Sequence, residues 1–69
     1  MLEQPVVKID EASATVTYIG TSFKDNATNL PVWDIIRITS SGGQTDVQRP
    51  KGLGRFQGVW DDRATYTYV

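Results

Sequence analysis

The sequence predicts an all-β protein, a small antiparallel β-sandwich or barrel of about five to six short strands. Three observations support this fold class. Polar and apolar residues alternate with period two in several short runs. Turn-forming residues separate these runs every eight to twelve positions, and no segment shows helical periodicity. The 69 residues leave room for one domain only, which spans 1–69.

The composition excludes several ways of stabilising so small a core. A chain of this length buries only about 60% of the surface that it exposes when unfolded. It has no Cys to form disulfides, and without His or Cys a structural zinc ion would have only carboxylate ligands. We therefore expect assembly in multiple copies, as a homo-oligomer, or with another protein.

Charge and composition also bear on the function class. Seven basic and eight acidic side chains give a net charge of −1, so no overall field attracts nucleic acid or an anionic membrane. No apolar run approaches the length of a membrane span, and the first residues show no secretory signal, which indicates synthesis in a cytoplasm. The commonest catalytic and metal-binding side chains, His and Cys, are missing, and the hydroxyl side chains lack a neighbouring base. We therefore expect a protein that is not an enzyme and has no cofactor or metal.

Two strands are predicted in the first third of the chain. Val6–Ile9 reads as a short edge strand that opens after Pro5, which cannot donate a hydrogen bond to a neighbouring strand. Ala14–Ile19 alternates cleanly and is expected to end at Gly20.

A polar connection of about ten residues follows, from Thr21 to Pro31. Phe23 and Leu30 are its large apolar residues. We expect these two side chains to pin the connection to the core.

The strongest strand signal is Val32–Thr39, which has apolar residues on both faces and is therefore predicted to be central. The pair Gly42-Gly43 marks a hairpin turn, because such turns need positive φ angles. Gln44–Arg49 returns as a more polar, outer strand, and Pro50–Arg55 forms a second loop.

The segment Val59–Val69 alternates small or hydroxyl residues with aromatic ones, which predicts a closing strand. On such a strand the even-numbered side chains share one face, with Trp60 and Tyr66 against the core. Asp61 and Arg63 would lie together on the other face as an exposed pair, so that Arg63→Ala would leave the fold intact.

Five aromatic residues are candidates for the core or for anchors in an interface: Trp33, Trp60, Phe56, Tyr18 and Tyr66. The simpler interpretation places both Trp side chains in the core with their indole N–H groups hydrogen-bonded. The alternative makes one Trp an interface anchor, because Trp is favoured at binding hot spots.

Six charged residues are candidates for an interface: Asp61, Arg63, Arg37, Arg49, Lys51 and Arg55. Arg49, Lys51 and Arg55, with two glycines between them, form a basic cluster. A solvated loop tip is the simpler interpretation, and contact with an anion or an acidic partner is the alternative. Asp61 and Asp62 are adjacent and would point to opposite faces of a strand, so they do not form an acid/base pair.

Several segments together resemble a known group of proteins. They are Glu11–Gly20, a polar loop with Ala27, Trp33 with Ile35 and Arg37-Ile38, a glycine turn, Phe56, and Trp60-Asp61-Asp62-Arg63-Ala64. This pattern resembles small β-rich proteins encoded among the structural genes of tailed bacteriophages. Its most specific parts are Tyr18-Ile19-Gly20 and Trp60–Ala64. Where the resemblance leads us to expect an acidic segment with a short Asp-Gly turn, this chain has the basic run 49–55, which puts the partner contacts of that loop in doubt.

The resemblance implies a non-enzymatic virion structural protein, as an accessory or decoration protein or a neck or tail component. Its partner would be a larger virion protein of the head, neck or tail, and its location the virion. Two alternatives from other classes stay open. One is a small module that binds a glycan, or a peptide added as an edge strand. The other is a cytoplasmic regulator encoded by a phage.

Overall fold

The computed structural model of the protein describes residues 4–69, and these residues form an almost purely β structure. The elements are β1 (Val6–Glu11), β2 (Val16–Ser22), β3 (Pro31–Ser41), β4 (Gln44–Gln48), β5 (Gly58–Val59) and one turn of 3₁₀ helix (Trp60–Asp62). All strand pairs are antiparallel, so the predicted all-β, antiparallel fold class is confirmed. The five strands belong to a single sheet.

β3 is the central strand, as its apolar residues on both faces predict. The sheet order is β1-β2-β3-β4, and β5 pairs with the beginning of β3. One edge of β3 therefore has two partners, β5 at Pro31 and Trp33 and β4 from Arg37 onward. The backbone of residues 34–36 lies between these two partners. The loop that connects β4 to β5 leaves the sheet at this gap.

The hairpin between β3 and β4 turns at Gly42-Gly43, as predicted. Both residues have positive φ angles, 57° and 82°, the combination required by a two-residue turn of the type that fits the twist of the strands. Side chains other than those of Gly, Asn and Asp rarely adopt this conformation, so the turn sets the register of the β3–β4 hairpin.

One face of the sheet is covered and holds the core. The buried hydrophobic residues are Tyr18, Trp33, Ile35, Trp60 and Tyr68. Within the strands these side chains alternate with more exposed ones, since successive residues point to opposite faces. We call the side that bears Tyr18, Trp33 and Ile35 the covered face.

The layer over the covered face is the segment 60–69, and here the predicted closing strand is wrong. Only Gly58–Val59 is strand; a 3₁₀ turn follows, and then a further turn in which the Thr65 N–H donates to the Asp62 carbonyl at 2.8 Å. The apparent alternation arises because turns return Trp60 and Tyr68 to the core. Val69 exchanges two backbone hydrogen bonds with Arg49, at 3.0 and 3.2 Å, which ties the segment to the end of β4.

The loop 23–30 is held by hydrogen bonds rather than by its apolar side chains. Phe23 is 66% exposed and Leu30 44% exposed, so the prediction that they pin the loop to the core is wrong. Instead, the Asn26 amide donates to the Ser22 hydroxyl at 2.6 Å, and the Trp33 indole N–H donates to the Ala27 carbonyl at 3.1 Å.

Gly20 does not end β2, which continues to Ser22. The residue is buried in mid-strand, and a Cβ at this position would overlap the six-membered ring of Trp60. The absence of a side chain is what makes room for the indole. Gly20 was expected to be a strand end because glycine in a sequence pattern marks a turn as often as a close approach.

We predict that Gly20→Ala destabilises the protein by about 1–3 kcal/mol, because the Trp60 ring must shift in a packed core. Equilibrium denaturation in urea measures this change. The matched control is Thr21→Ala, the next residue on the opposite face, which we expect to cost clearly less. Equal losses for the two variants would contradict the close approach of Trp60 to Gly20.

Candidate functional site

The second face of the sheet is apolar and uncovered within residues 4–69. Ile9, Ile19 and Ile36 oppose one another directly across three strands. In the row beyond them, Ile38 lies opposite Val47. Cross-strand partners project to the same side, which is opposite to the covered face. We call this surface the open face; its apolar residues are Val7, Ile9, Ile19, Ile36, Ile38 and Val47.

The exposure of these side chains is high for their type. Val7 is 57% exposed, Ile9 64% and Val47 65%. The other three, Ile19, Ile36 and Ile38, are half-buried by their neighbours. Scattered apolar residues on a surface are ordinary, but a contiguous apolar patch on a small protein is typical of an interaction site. The sequence of Val32–Thr39 indicated apolar residues on both faces of this strand. Within residues 4–69, however, no segment of the chain covers the second face.

An ion cluster lies beside the open face, on the edge of β3 that has no partner strand between β5 and β4. The Asp34 carboxylate accepts hydrogen bonds from Arg49 at 2.5 Å and from Arg55 at 3.3 Å. The Asp34 side chain is only 12% exposed, whereas those of Arg49 and Arg55 are 48% and 70% exposed. One carboxylate thus orients two guanidinium groups that remain accessible, with a net charge of +1. We call these three residues the basic corner.

The basic corner brings together two of the predicted interface residues and one that the sequence did not single out. Asp34 follows Trp33 in a strand, and local spacing does not predict its pairing with residues 15 and 21 positions later. The loop is closed by its own contacts, since Gln57 accepts a hydrogen bond from the Gly54 N–H at 2.7 Å. That backbone N–H group is therefore not available to cradle a phosphate.

The other basic candidates have separate roles. Lys51 is exposed, and its backbone N–H donates to the Thr67 carbonyl at 2.7 Å, which helps to hold the closing segment. Arg37 donates two hydrogen bonds to the Gln48 side chain, and its guanidinium lies 4.6 Å from the centre of the Tyr68 ring. Arg37 thus closes the covered face at its edge.

Arg63 is a structural residue, and the predicted exposed pair with Asp61 is wrong. Its guanidinium donates to Asp10 at 3.0 Å and to the Trp60 carbonyl at 3.0 Å, and it lies 4.5 Å from the Trp60 ring centre. Asp61 is exposed, and its backbone N–H donates to the Thr28 carbonyl. The 3₁₀ turn rotates the two side chains away from the common face that a strand would provide.

The aromatic candidates divide into core and surface groups. Trp33 is fully buried, Trp60 is 6% exposed and Tyr18 is 9% exposed, so these three belong to the core. Tyr66 packs against them, and its hydroxyl accepts a hydrogen bond from the Val59 N–H. Phe56 lies outside the core, with a positive φ of 60°, and stacks on the exposed Phe23 with 4.1 Å between ring centres.

The burial of the core is reflected in the pKa of Tyr68. The pKa of Tyr68 is raised from 10.0 to about 12, mainly by burial and in part by the neighbouring Tyr18, while the charge of Arg37 acts in the opposite direction. The protonated hydroxyl donates to the Arg63 carbonyl at 2.7 Å. Tyr68 therefore joins the closing segment to the residue that holds Trp60.

No metal-binding arrangement is found in the described part of the chain. Residues 4–69 contain no group of three or more Asp or Glu side chains able to hold a metal ion, and none of their buried side-chain polar atoms lacks a hydrogen-bond partner. Among the same residues, no helix is long and apolar enough to span a membrane. Comparisons with protein-family models, with curated proteins and with solved structures find no match to this chain.

We predict that Arg63→Ala lowers the free energy of unfolding by about 1–3 kcal/mol, because it removes charge-assisted hydrogen bonds and the contact with the Trp60 ring. The matched control is Arg55→Ala, whose mostly exposed pair contributes about 0–1 kcal/mol. Thermal denaturation of both variants measures the difference. An Arg63→Ala protein as stable as Arg55→Ala would return Arg63 to the surface role expected from the sequence.

We predict a loss of stability at high pH that depends on Tyr68. Its pKa in the folded protein lies above the unfolded value, so its contribution is fully present below pH 10 and is lost as the pH rises through about 12. The melting temperature measured across this range should fall less steeply for Tyr68→Phe, which cannot ionise. Tyr68→Phe should also start lower, because it lacks the hydrogen bond to Arg63. An identical pH profile for both proteins would contradict the assignment.

Proposed function

We propose that this protein is a non-enzymatic structural component of a tailed bacteriophage virion, an accessory or decoration protein or a neck or tail component. In this role it is present in several copies and is bound to a larger virion protein. The observation that supports the proposal most is the open face. Within residues 4–69, every buried side-chain polar atom has a hydrogen-bond partner, whereas six aliphatic side chains on one sheet face have no cover, and such a face is suited to assembly.

The fold shows where the residues that carry the resemblance to phage structural proteins lie in the structure. Its two most specific segments contact each other, since Trp60 lies against Gly20. Arg63, in the second segment, pairs with Asp10, which lies opposite Tyr18 of the first. These residues build the core rather than a partner site. The resemblance therefore concerns residues that stabilise the fold. The loop 49–55, where the sequence differs from the resembled pattern, forms part of the surface.

The glycan-binding alternative loses its main support. A sugar is bound by stacking on an exposed aromatic ring, but Trp33 and Trp60 are 0% and 6% exposed. The basic corner and Trp33 line a surface cavity, but the exposed Phe23 is stacked on Phe56 and is not part of this lining. Addition of a peptide at the outer edge of β1 stays chemically possible, but no described contact favours it over assembly through the open face.

We predict that the protein is found in purified phage particles. Mass spectrometry of the particles should detect it in a fixed ratio to a major virion protein, and cryo-electron microscopy should show its density on a larger neighbour. An abundant non-virion phage protein, followed through the same purification, is the control for contamination. Abundance in infected cells together with absence from the particles would favour the cytoplasmic regulator and contradict the proposal.

A further inference from the structure

We propose that the open face is the contact surface of a symmetric homodimer, so that a second copy of this chain covers it. The inference goes beyond the virion role and does not depend on it. It rests on the distribution of charge around the open face and on the size of the molecule.

The charges on the open face lie at two diagonal corners, and the centre is uncharged. Glu11 is exposed at the β1 corner, in the row of Thr17 and Ile38. The basic corner lies at the opposite strand edge, two rows away, in the row of Thr21 and Val7. Glu11 forms no ion pair with any residue of the described chain, whereas the basic corner has a net charge of +1.

This arrangement is complementary to itself. Strands are spaced by about 4.8 Å, and side chains on one face of a strand repeat about every 6.7 Å. The midpoint between Glu11 and the guanidinium groups therefore falls close to the centre of the isoleucine row, between Ile19 and Ile36. A twofold axis through this point, in the plane of the face, places Glu11 of each copy on the basic corner of the other. The strands of the two sheets then cross at nearly a right angle, an established mode of sheet packing.

The size of the molecule is compatible with a dimer contact on one side. Stable interfaces bury about 800 Å² on each partner, which is about one sixth of the 4761 Å² accessible surface of this molecule. Its overall dimensions of 45 × 23 × 16 Å leave room for a contact of that size. Closed twofold dimers are also the commonest oligomers, because one self-complementary patch suffices to form them.

Size-exclusion chromatography with light scattering tests the proposal on the intact chain. We expect a mass of twice 7.7 kDa that falls to the monomer value on dilution. Ile9→Asp places a charge in the apolar row at a 64% exposed position, where folding tolerates it, and should weaken dimerisation at least about tenfold. Asn29→Asp, which adds the same charge in the exposed loop, is the control and should dimerise normally.

Charge reversal tests the symmetry itself. Glu11→Arg and Arg55→Glu should each weaken the homodimer by roughly tenfold, since each creates two like-charge contacts. An equimolar mixture of the two variants should recover association, because both corner contacts then join opposite charges. The double variant in one chain should recover it as well. Circular dichroism verifies that every variant is folded.

The results that overturn the proposal are distinct from those that test the virion role. A monomer at all concentrations, or a dimer unaffected by Ile9→Asp, removes the open face as a dimer contact. Two weakened single variants that do not recover on mixing exclude the twofold arrangement. A monomer that enters particles normally but fails to do so with Ile9→Asp assigns the open face to a different virion protein. A dimer that is absent from particles leaves the inference standing and contradicts only the proposed function.

Discussion

The packing of the Trp60 indole on Gly20 is the contact on which the rest of the structure depends. A glycine in the middle of β2 leaves a gap in the side chains of the covered face, and the indole fills it. Trp33, with its ring centre 6.2 Å away, completes the aromatic centre of the core. Of the five buried hydrophobic side chains within residues 4–69, these two tryptophans are the largest.

The residues after Trp60 hold this contact in place from three directions. Arg63 bonds to the Trp60 carbonyl and to Asp10 in β1, Tyr68 donates to the Arg63 carbonyl, and Val69 pairs with Arg49. Polar contacts of this kind are individually modest, but each joins the irregular layer to a different part of the sheet. In a β-sandwich a second sheet would cover this face. Here a segment of turns, residues 60–69, covers it instead.

The sequence predicted the elements whose signals are local. The period-two runs located β1 to β4, the apolar residues on both sides of Val32–Thr39 identified the central strand, and Gly42-Gly43 identified the hairpin. It failed for 59–69, because inward-pointing aromatics separated by turns imitate the alternation of a strand. It also misassigned Arg63, since its partner Asp10 is 53 positions away and local spacing contains no trace of that pair. The open face was foreseeable as apolar but not as uncovered, because cover is a property of the tertiary structure.

The two faces of β3 therefore differ in how they are buried, although the sequence makes both apolar. Trp33 and Ile35 are covered by the chain's own closing segment, whereas nothing among residues 4–69 covers Ile36 and Ile38. In the homodimer that we propose, a second copy buries this face, and the free energy of that burial adds to the stability of the fold only when the second copy is bound. The proposed dimerisation is in this way coupled to folding through one strand. Gly20, which contacts the Trp60 ring on the covered face, and Ile19, which lies at the centre of the open face, are neighbours in β2. The two faces therefore depend on the same short stretch of backbone.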